Sequence, residues 1–454
     1  DHLWINFELH SAPAIRNFRV GGKIYPLELK EQNANVVRGQ LELRNVEMGE
    51  DFSVQYDLDA ADADMLHVIT HREPNSGQPS PDEMSPVVSH IEPGFFEAEA
   101  LLGSEKATPA GNAGEARTII ILFDTSLSMQ WEKLERSYAA LEKLLHRLSP
   151  QDRFNLILFN SKLEPFQPAA VAGGSSAVQK SLDFVRASRL RGGTNLQSAL
   201  EAGLAQCSKA KGNSYLVLLS DGGATRGTIK NGTLANWYAQ RWQTLPEVQR
   251  PRTFIFAVGD DANLPLLKLL ARKDGVLENV LSTEPIDFKL NAFLSKIGRS
   301  PIGQMGLAVT PESSVQMVYP LQEAAFSGSI ASWVGQYSKS AESVGFDVHG
   351  ARAGEPLSLR ASAVLPEQSA EHAQLPRLWA RARVDALLEK IEREGEDRAT
   401  IEEIIRLSRK YKFVTPYTSF LAGPRALLRP RVIRPGDPVL RVRADASIVS
   451  VVAL

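Results

Sequence analysis

The chain has 454 residues, too many for one hydrophobic core, and reads as two or three domains. Hydrophobic residues make up 43%, charged residues 23%, and the formal net charge is −2, a balance that gives no charge-based reason to bind nucleic acid or an anionic membrane. No stretch approaches the roughly 18 apolar residues of a membrane span. The sequence opens on Asp1 rather than Met, so a signal peptide or an anchoring segment removed from it or lying outside it is compatible with what remains.

Residues 1–102 are β-patterned, with apolar alternation at 3–9, 36–43, 52–58, 65–70 and 94–102. Residues 73–86, rich in Pro, Ser, Asn and Asp, read as a long loop, and 103–116 as a linker of small residues. His67 and His71 stand four apart in a strand-like stretch and share a face. Lying about 13 Å apart on an extended chain, they cannot share one metal and read as surface polar residues.

An α/β region follows over 117–300. Arg117-Thr-Ile-Ile-Ile-Leu-Phe-Asp124 is a buried-strand pattern ending in a carboxylate, and Ser214-Tyr-Leu-Val-Leu-Leu-Ser-Asp221 repeats it. Strands are also expected at 153–159, 253–258 and 276–281. Helices are expected after Ser128 with an apolar face of Leu134, Tyr138, Leu141, Leu145 and Leu148, around Leu182 and Val185, after Thr194, at 266–270 and at 286–297. Cys207, the one cysteine, excludes an internal disulfide and falls on the stripe Leu196, Leu200, Leu204, so it reads as a core residue. Continuous apolar strands alternating with helices mean a parallel sheet covered on both faces, and such sheets bind ligands at the carboxyl ends of their strands.

Three stretches fall at those ends: Asp124-Thr-Ser126-Leu127-Ser128, Thr194 in the turn Arg191-Gly-Gly-Thr194-Asn195, and Asp221 before Gly222-Gly223. Hydroxyls and carboxylates with no nearby Cys or His suit a hard cation, Mg²⁺ or Mn²⁺. Two Asp and three neutral hydroxyls leave a coordination position that would attract an acidic group from a partner. Arg189, Arg191 and Arg226 lie close in sequence to these loops and would favour such a ligand, unless they form only a solvated edge. Trp131 is either an aromatic anchor at the rim or a residue packed at the helix start.

Residues 301–373 return to β patterning, and 374–425 hold two amphipathic helices and an extended segment. Ala380, Val384, Leu387 and Ile391 mark one inward face; Thr400-x-x-Glu403 reads as a capping box opening the second helix, with Ile401, Ile404 and Ile405 inward. Because domain termini lie close together, the α/β region reads as an insertion, with 1–102 and the segment after it building one sandwich. Residues 430–454 read as the opening of a further β domain.

The set Asp-x-Ser-x-Ser, Thr, Asp-Gly resembles the metal-ion-dependent adhesion site of von Willebrand factor type A domains. That resemblance implies that Ser126, Ser128 and Thr194 are direct or near-direct ligands, with Asp124 and Asp221 acting partly through water. Leu127 stands where the family often has Gly. The flanks 375–380, 395–397 and 411–421, with 148–156, resemble inter-alpha-trypsin inhibitor heavy chains and bacterial proteins that pair a vault/inter-alpha-trypsin (VIT) module with an A domain. Residues 1–94 resemble only the tail of the VIT region. The implied fold is an α/β, parallel-sheet (Rossmann-like) A domain flanked by, and inserted into, a β-sandwich, with a C-terminal helical hairpin.

The resemblance implies an extracellular or cell-envelope protein that is not an enzyme and attaches, through Mg²⁺ or Mn²⁺, to a protein or glycan bearing an acidic group. Motion of the helix over 130–148 could couple occupancy to affinity, as in some A domains. Two alternatives stand beside it: a metal-assisted hydrolase using Glu132 or Asp260 as base, and a scaffold whose metal site is vestigial. Asp437-Pro438 is the dipeptide at which heavy chains are cleaved but lacks the surrounding pattern and reads as a turn; Asn231-Gly-Thr233 fits a glycosylation acceptor. Neither a Gly-x-Ser-x-Gly elbow nor a phosphate-binding Gly-x-x-x-x-Gly-Lys occurs.

Overall fold

The computed structural model describes residues 2–421 and 450–453, apart from 12, 22–24, 46–51, 60–63, 75–91, 104–116, 211, 272–274, 282–285, 298, 300, 323 and 353. Most of the long loop at 73–86, nearly all of the linker at 103–116, the Asp437-Pro438 dipeptide and the stretch 430–449 lie outside the described residues.

The N-terminal strands are β1 (His2–His10), β2 (Ala14–Gly21), β3 (Glu28–Gln32), β4 (Val36–Arg44), β5 (Ser53–Asp59), β6 (Met65–His71) and β7 (Gly94–Leu101). The α/β domain runs β8 (Thr118–Asp124), α1 (Glu132–His146), β9 (Arg153–Phe159), β10 (Leu163–Pro165), β11 (Val171–Ala172), α2 (Ser175–Ala187), α3 (Leu196–Cys207), β12 (Ser214–Ser220), α4 (Asn231–Thr244), β13 (Arg252–Val258), α5 (Leu264–Ala271), β14 (Val276–Val280) and α6 (Ile286–Lys296). After it come β15 (Gly303–Thr310), β16 (Gln316–Pro320), β17 (Ile330–Tyr337), β18 (Ala341–Arg352), β19 (Glu355–Leu365), α7 (Leu375–Glu394), α8 (Arg398–Tyr411) and β20 (Thr418–Leu421), with β21 (Ser450–Ala453) parallel to β20.

In the α/β domain the sheet order is β10-β9-β8-β12-β13-β14. β8, β9, β12, β13 and β14 are parallel, while β10 and the short β11 pair antiparallel with β9, an edge the apolar runs did not announce. Side chains alternate across a strand, so Ile119, Ile121 and Phe123 join the core beneath α1, α2 and α6, and Ile120 and Leu122 join the one beneath α3, α4 and α5. β8 is buried at every position. The chain turns from β8 to β9 on one side and returns on the other with β12, so the switch point lies between the ends of β8 and β12.

The segments on either side of this domain share one sheet, β16-β17-β7-β6, in which β7 lies antiparallel between β6 and β17. Its inner face, with Phe96, Ala98, Ala100 and Trp333, packs on Val344, Phe346 and Val348 of the sheet β15-β18-β19. Leu102 donates to Ser329 O at 3.0 Å and Ile302 to Ala325 O at 2.8 Å, which ties the two crossings between sandwich and domain side by side. The outer face, with Phe95 and Val334, carries the hairpin of α7 and α8. Trp379 packs on Phe95 at 5.6 Å between ring centroids and donates its indole N–H to Met317 O at 3.0 Å.

The expected face of α1 is borne out: Leu141 and Leu145 are buried, and Leu134, Tyr138 and Leu148 pack half-buried against the same core, joined by buried Ser137, Ala140 and Leu144. Two expectations need correction. The cap of α8 is Asp397, whose carboxylate accepts from Thr400 N at 2.9 Å; Glu403 instead forms a bidentate pair with Arg383. His67 is exposed, but His71 is buried, donating Nδ1–H to Glu371 O at 2.6 Å. Asn231, which opens α4, exchanges two amide hydrogen bonds with Asn263, and a Cβ on Gly232 would lie 2.1 Å from Glu392 O.

Glu97 of β7 lies on the hairpin side of the shared sheet, and burial beside Glu99 pushes its carboxyl up to about 6. The folded state therefore holds a proton there, between pH 4.5 and about 6, that the unfolded chain has lost, and stability falls as pH rises through this window. Partial exposure limits the effect to about 1 kcal/mol. Urea titrations at pH 4.5 and pH 7 are expected to differ by that much less in Glu97→Gln than in the parent.

Candidate metal centre

The chemistry gathers where β8 and β12 end. Asp124 is fully buried, and its Oδ2 accepts from Ser220 Oγ at 2.6 Å while Oδ1 accepts from Ser126 N at 2.9 Å. Burial pushes the Asp124 carboxyl up to about 6, against the pull of the Ser220 and Ser126 hydrogen bonds. Ser220 Oγ also accepts from Gly222 N at 2.9 Å, tying the next loop to the same carboxylate. Gly222 sits at φ +73°, and a Cβ there would lie 2.8 Å from Leu267, so both backbone and space require glycine.

The other two stretches are tied into this knot. Leu127 N donates to Gly192 O at 3.2 Å and Arg191 N to Thr125 O at 3.0 Å, which docks the Thr194 turn on the Asp124–Ser128 loop. Thr225 N and Arg226 N both donate to Thr194 O at 3.0 Å, and Thr194 N donates to Thr225 Oγ1 at 2.8 Å, which docks the same turn on the Asp221 loop. Asn160 holds the base: its side chain donates to Thr125 Oγ1 at 3.1 Å and its carbonyl accepts from Asn195 N at 2.9 Å. Asn263 N donates to Asp221 O at 2.8 Å.

Ser126, Thr194 and Asp221 are buried, while Ser128 is exposed, so the cluster opens on the serine side. Ser126 Oγ and Ser128 Oγ lie 3.0 Å apart. Adjacent ligands of an octahedral Mg²⁺ with bonds of 2.0–2.1 Å are separated by about 2.9 Å. The donor set is all hard oxygens and includes a desolvated carboxylate, chemistry that suits a small divalent ion. Among the described residues no group of three or more His, Cys, Asp or Glu forms a metal cluster. Hydroxyls would have to supply much of any coordination at this site.

Trp131, the N-cap of α1, is 82% exposed and lies at φ +61° and ψ −124°, a conformation unfavourable to a bulky residue. Leu127 and Ile229 are also exposed on these loops. Arg226 is exposed; Arg191 is exposed too but pairs with Glu164 of β10 and so is not a free rim cation.

Sequence reasoning missed Ser220, Asn160, Asn263, Lys133 and Asp261. Lys133 Nζ reaches Asp221 Oδ2 at 2.9 Å and Asp261 Oδ1 at 2.6 Å. Burial draws its pKa down, but the two carboxylates outweigh this and hold it above the ordinary lysine range. A signal existed: Lys133 stands four and seven residues before Ser137 and Ala140, at the head of the buried stripe of α1. Lys133 is bonded to neither serine nor to Asp124.

Residues 117–275 match the family model of the von Willebrand factor type A domain. The chain is 24% identical over 337 residues to inter-alpha-trypsin inhibitor heavy chain H1 of Mesocricetus auratus, covering 68% of this chain and 36% of that protein. It is 26% identical over 327 residues to inter-alpha-trypsin inhibitor heavy chain 4 of Mus musculus, covering 67% and 34%. The chain thus spans about a third of the length of these curated relatives. Among solved structures it is similar to a von Willebrand factor type A protein from Catenulispora acidiphila, with 12% identity, a TM-score of 0.42, and 70% and 82% of the two chains covered. Residues 117–275 are thus similar to von Willebrand A domains, and the chain as a whole is similar to the heavy chains.

Two substitutions check the local geometry. Ser220→Ala strips the buried Asp124 carboxylate of its hydroxyl donor and is expected to cost about 1–3 kcal/mol in urea denaturation. Trp131→Gly removes an exposed side chain from a left-handed backbone and is expected to stabilise the fold by about 1 kcal/mol, read as a rise in Tm.

Proposed function

We propose that this chain is a metal-ion-dependent binding module, of adhesion type, that grips an acidic group on a protein or glycan partner. What supports this reading is that the three loops carrying Asp124, Ser126 and Ser128, Thr194, and Asp221 are hydrogen-bonded to one another at the switch point of the sheet. Ser126, Ser128 and Thr194 would hold Mg²⁺ or Mn²⁺ with Asp124 and Asp221 as balancing carboxylates. Bound there, the ion supplies positive charge to an incoming carboxylate. Trp131, Leu127 and Ile229 would flank that carboxylate with apolar contacts, and Arg226 would add charge. The reading is not enzymatic and fits the adhesion and protein binding that von Willebrand A domains often mediate. An extracellular or cell-envelope location is part of it. Among the described residues no helix is long and apolar enough to cross a membrane.

One observation favours a second reading. The Lys133–Asp221 ion pair supplies positive charge from within the chain, as a vestigial, metal-free site would require. Melting curves separate the two. At Mg²⁺ or Mn²⁺ a hundredfold above Kd the binding module gains about 2.7 kcal/mol, a Tm rise of about 5–10 °C, and Asp221→Ala abolishes it. An unmoved Tm in the parent favours the vestigial site. Capture of a partner by the parent, reversed by chelator and weakened in Trp131→Ala, then tests the adhesive role.

A further inference from the structure

The first turn of α1 directs a lysine inward at the ends of two strands. The Lys133 side chain is 15% exposed, and its ammonium bridges Asp221, 3% exposed, and Asp261, 72% exposed. Its stem runs over Gly259, where φ is +100° and a Cβ would lie 2.5 Å from Lys133 Cε. That position must stay bare for the lysine to pass. Asp221 is committed on both oxygens, Oδ2 to Lys133 and Oδ1 to Gly223 N at 3.0 Å, whereas none of the described bonds joins the ammonium to Ser126, Ser128 or Asp124. The cation is thus built into one side of the site and leaves the hydroxyl side free.

We propose that Lys133 is an internal counter-cation that divides the affinity of this site between the metal ion and the partner's acidic group, making each depend on the other. The proposal rests on the metal-site reading above. Asp124 and Asp221 alone would offset both charges of a divalent ion. With Lys133 drawing on Asp221 they offset little more than one, so the ion alone binds weakly and keeps charge for an incoming carboxylate. Ion and carboxylate then bind with positive coupling, and by linkage each raises the affinity of the other equally. Asp261 shares the ammonium and holds part of its charge away from Asp221.

Calorimetric titration of the full chain with Mn²⁺ tests this, in chloride and with acetate as the carboxylate probe at equal ionic strength. Lys133→Met and Lys133→Gln are expected to bind Mn²⁺ at least about fivefold more tightly than the parent. They should also lose the gain in Mn²⁺ affinity that acetate gives the parent, while Lys133→Arg keeps the parental pattern. Parental Mn²⁺ affinity in both neutral variants overturns the proposal and leaves the metal reading standing. Absence of Mn²⁺ binding in the parent and the variants overturns both. Should the neutral variants fail to fold, Asp261→Asn, at an exposed position, leaves the ammonium to Asp221 and is expected to weaken Mn²⁺ severalfold, with the neighbouring Asp260→Asn as control. Equal effects of the two substitutions overturn the proposal.

Discussion

The burial of the Asp124 carboxylate is the constraint around which the rest of the α/β domain is arranged. Taking a carboxylate out of water costs several kcal/mol unless hydrogen bonds or opposite charge replace the lost hydration. Ser220 and Ser126 replace part of it. The position in which Ser220 can do so is fixed by the parallel register of β8 and β12, in which Leu219 lies opposite Phe123. A chain that failed to bring these strands together would leave the charge stranded in the core. The elevated pKa of Asp124 records that hydrogen bonds offset the penalty incompletely.

From that carboxylate the order spreads through short polar links rather than through packing. Ser220 Oγ takes the N–H of Gly222, Asp221 O takes that of Asn263, and the Asn263 amide clasps Asn231 at the start of α4. Helices α4 and α5 in turn lie against α7, where Lys268 approaches Asp385 at 3.8 Å and Gly232 fits beneath Glu392 O. The loops of the candidate site are therefore backed by the same helical hairpin that covers the outer face of the sandwich. Rigid support of this kind is what a site with closely placed oxygens requires.

The parallel strands of the α/β domain were legible because they are short apolar runs rich in β-branched and aromatic residues, too short for a buried helix. Uninterrupted runs such as Ile119–Phe123 and Tyr215–Leu219 fit strands buried on both faces, and an oxygen-bearing residue after each of them points to the carboxyl ends. Elements carried by context were not legible. The short β10 and β11 are fixed by pairing with β9 and have little apolar signal of their own. The α1 face was legible only in part, because Ser137 and Ala140 are small residues at buried positions and carry little apolar signal. Asp397 was passed over as a cap for Thr400, whose N–H it receives.

The sequence by itself determined the alternation of strand and helix and the oxygen chemistry at the strand ends, because both are written in local spacing. Tertiary structure decided which side chains face that chemistry. Pairing of β8 with β12 made Ser220 the partner of Asp124, and the pitch of α1 carried Lys133 to Asp221 across 88 positions of chain. Such contacts join residues with no local relation. Strand register and helix orientation, set by the whole core at once, are what bring them within reach.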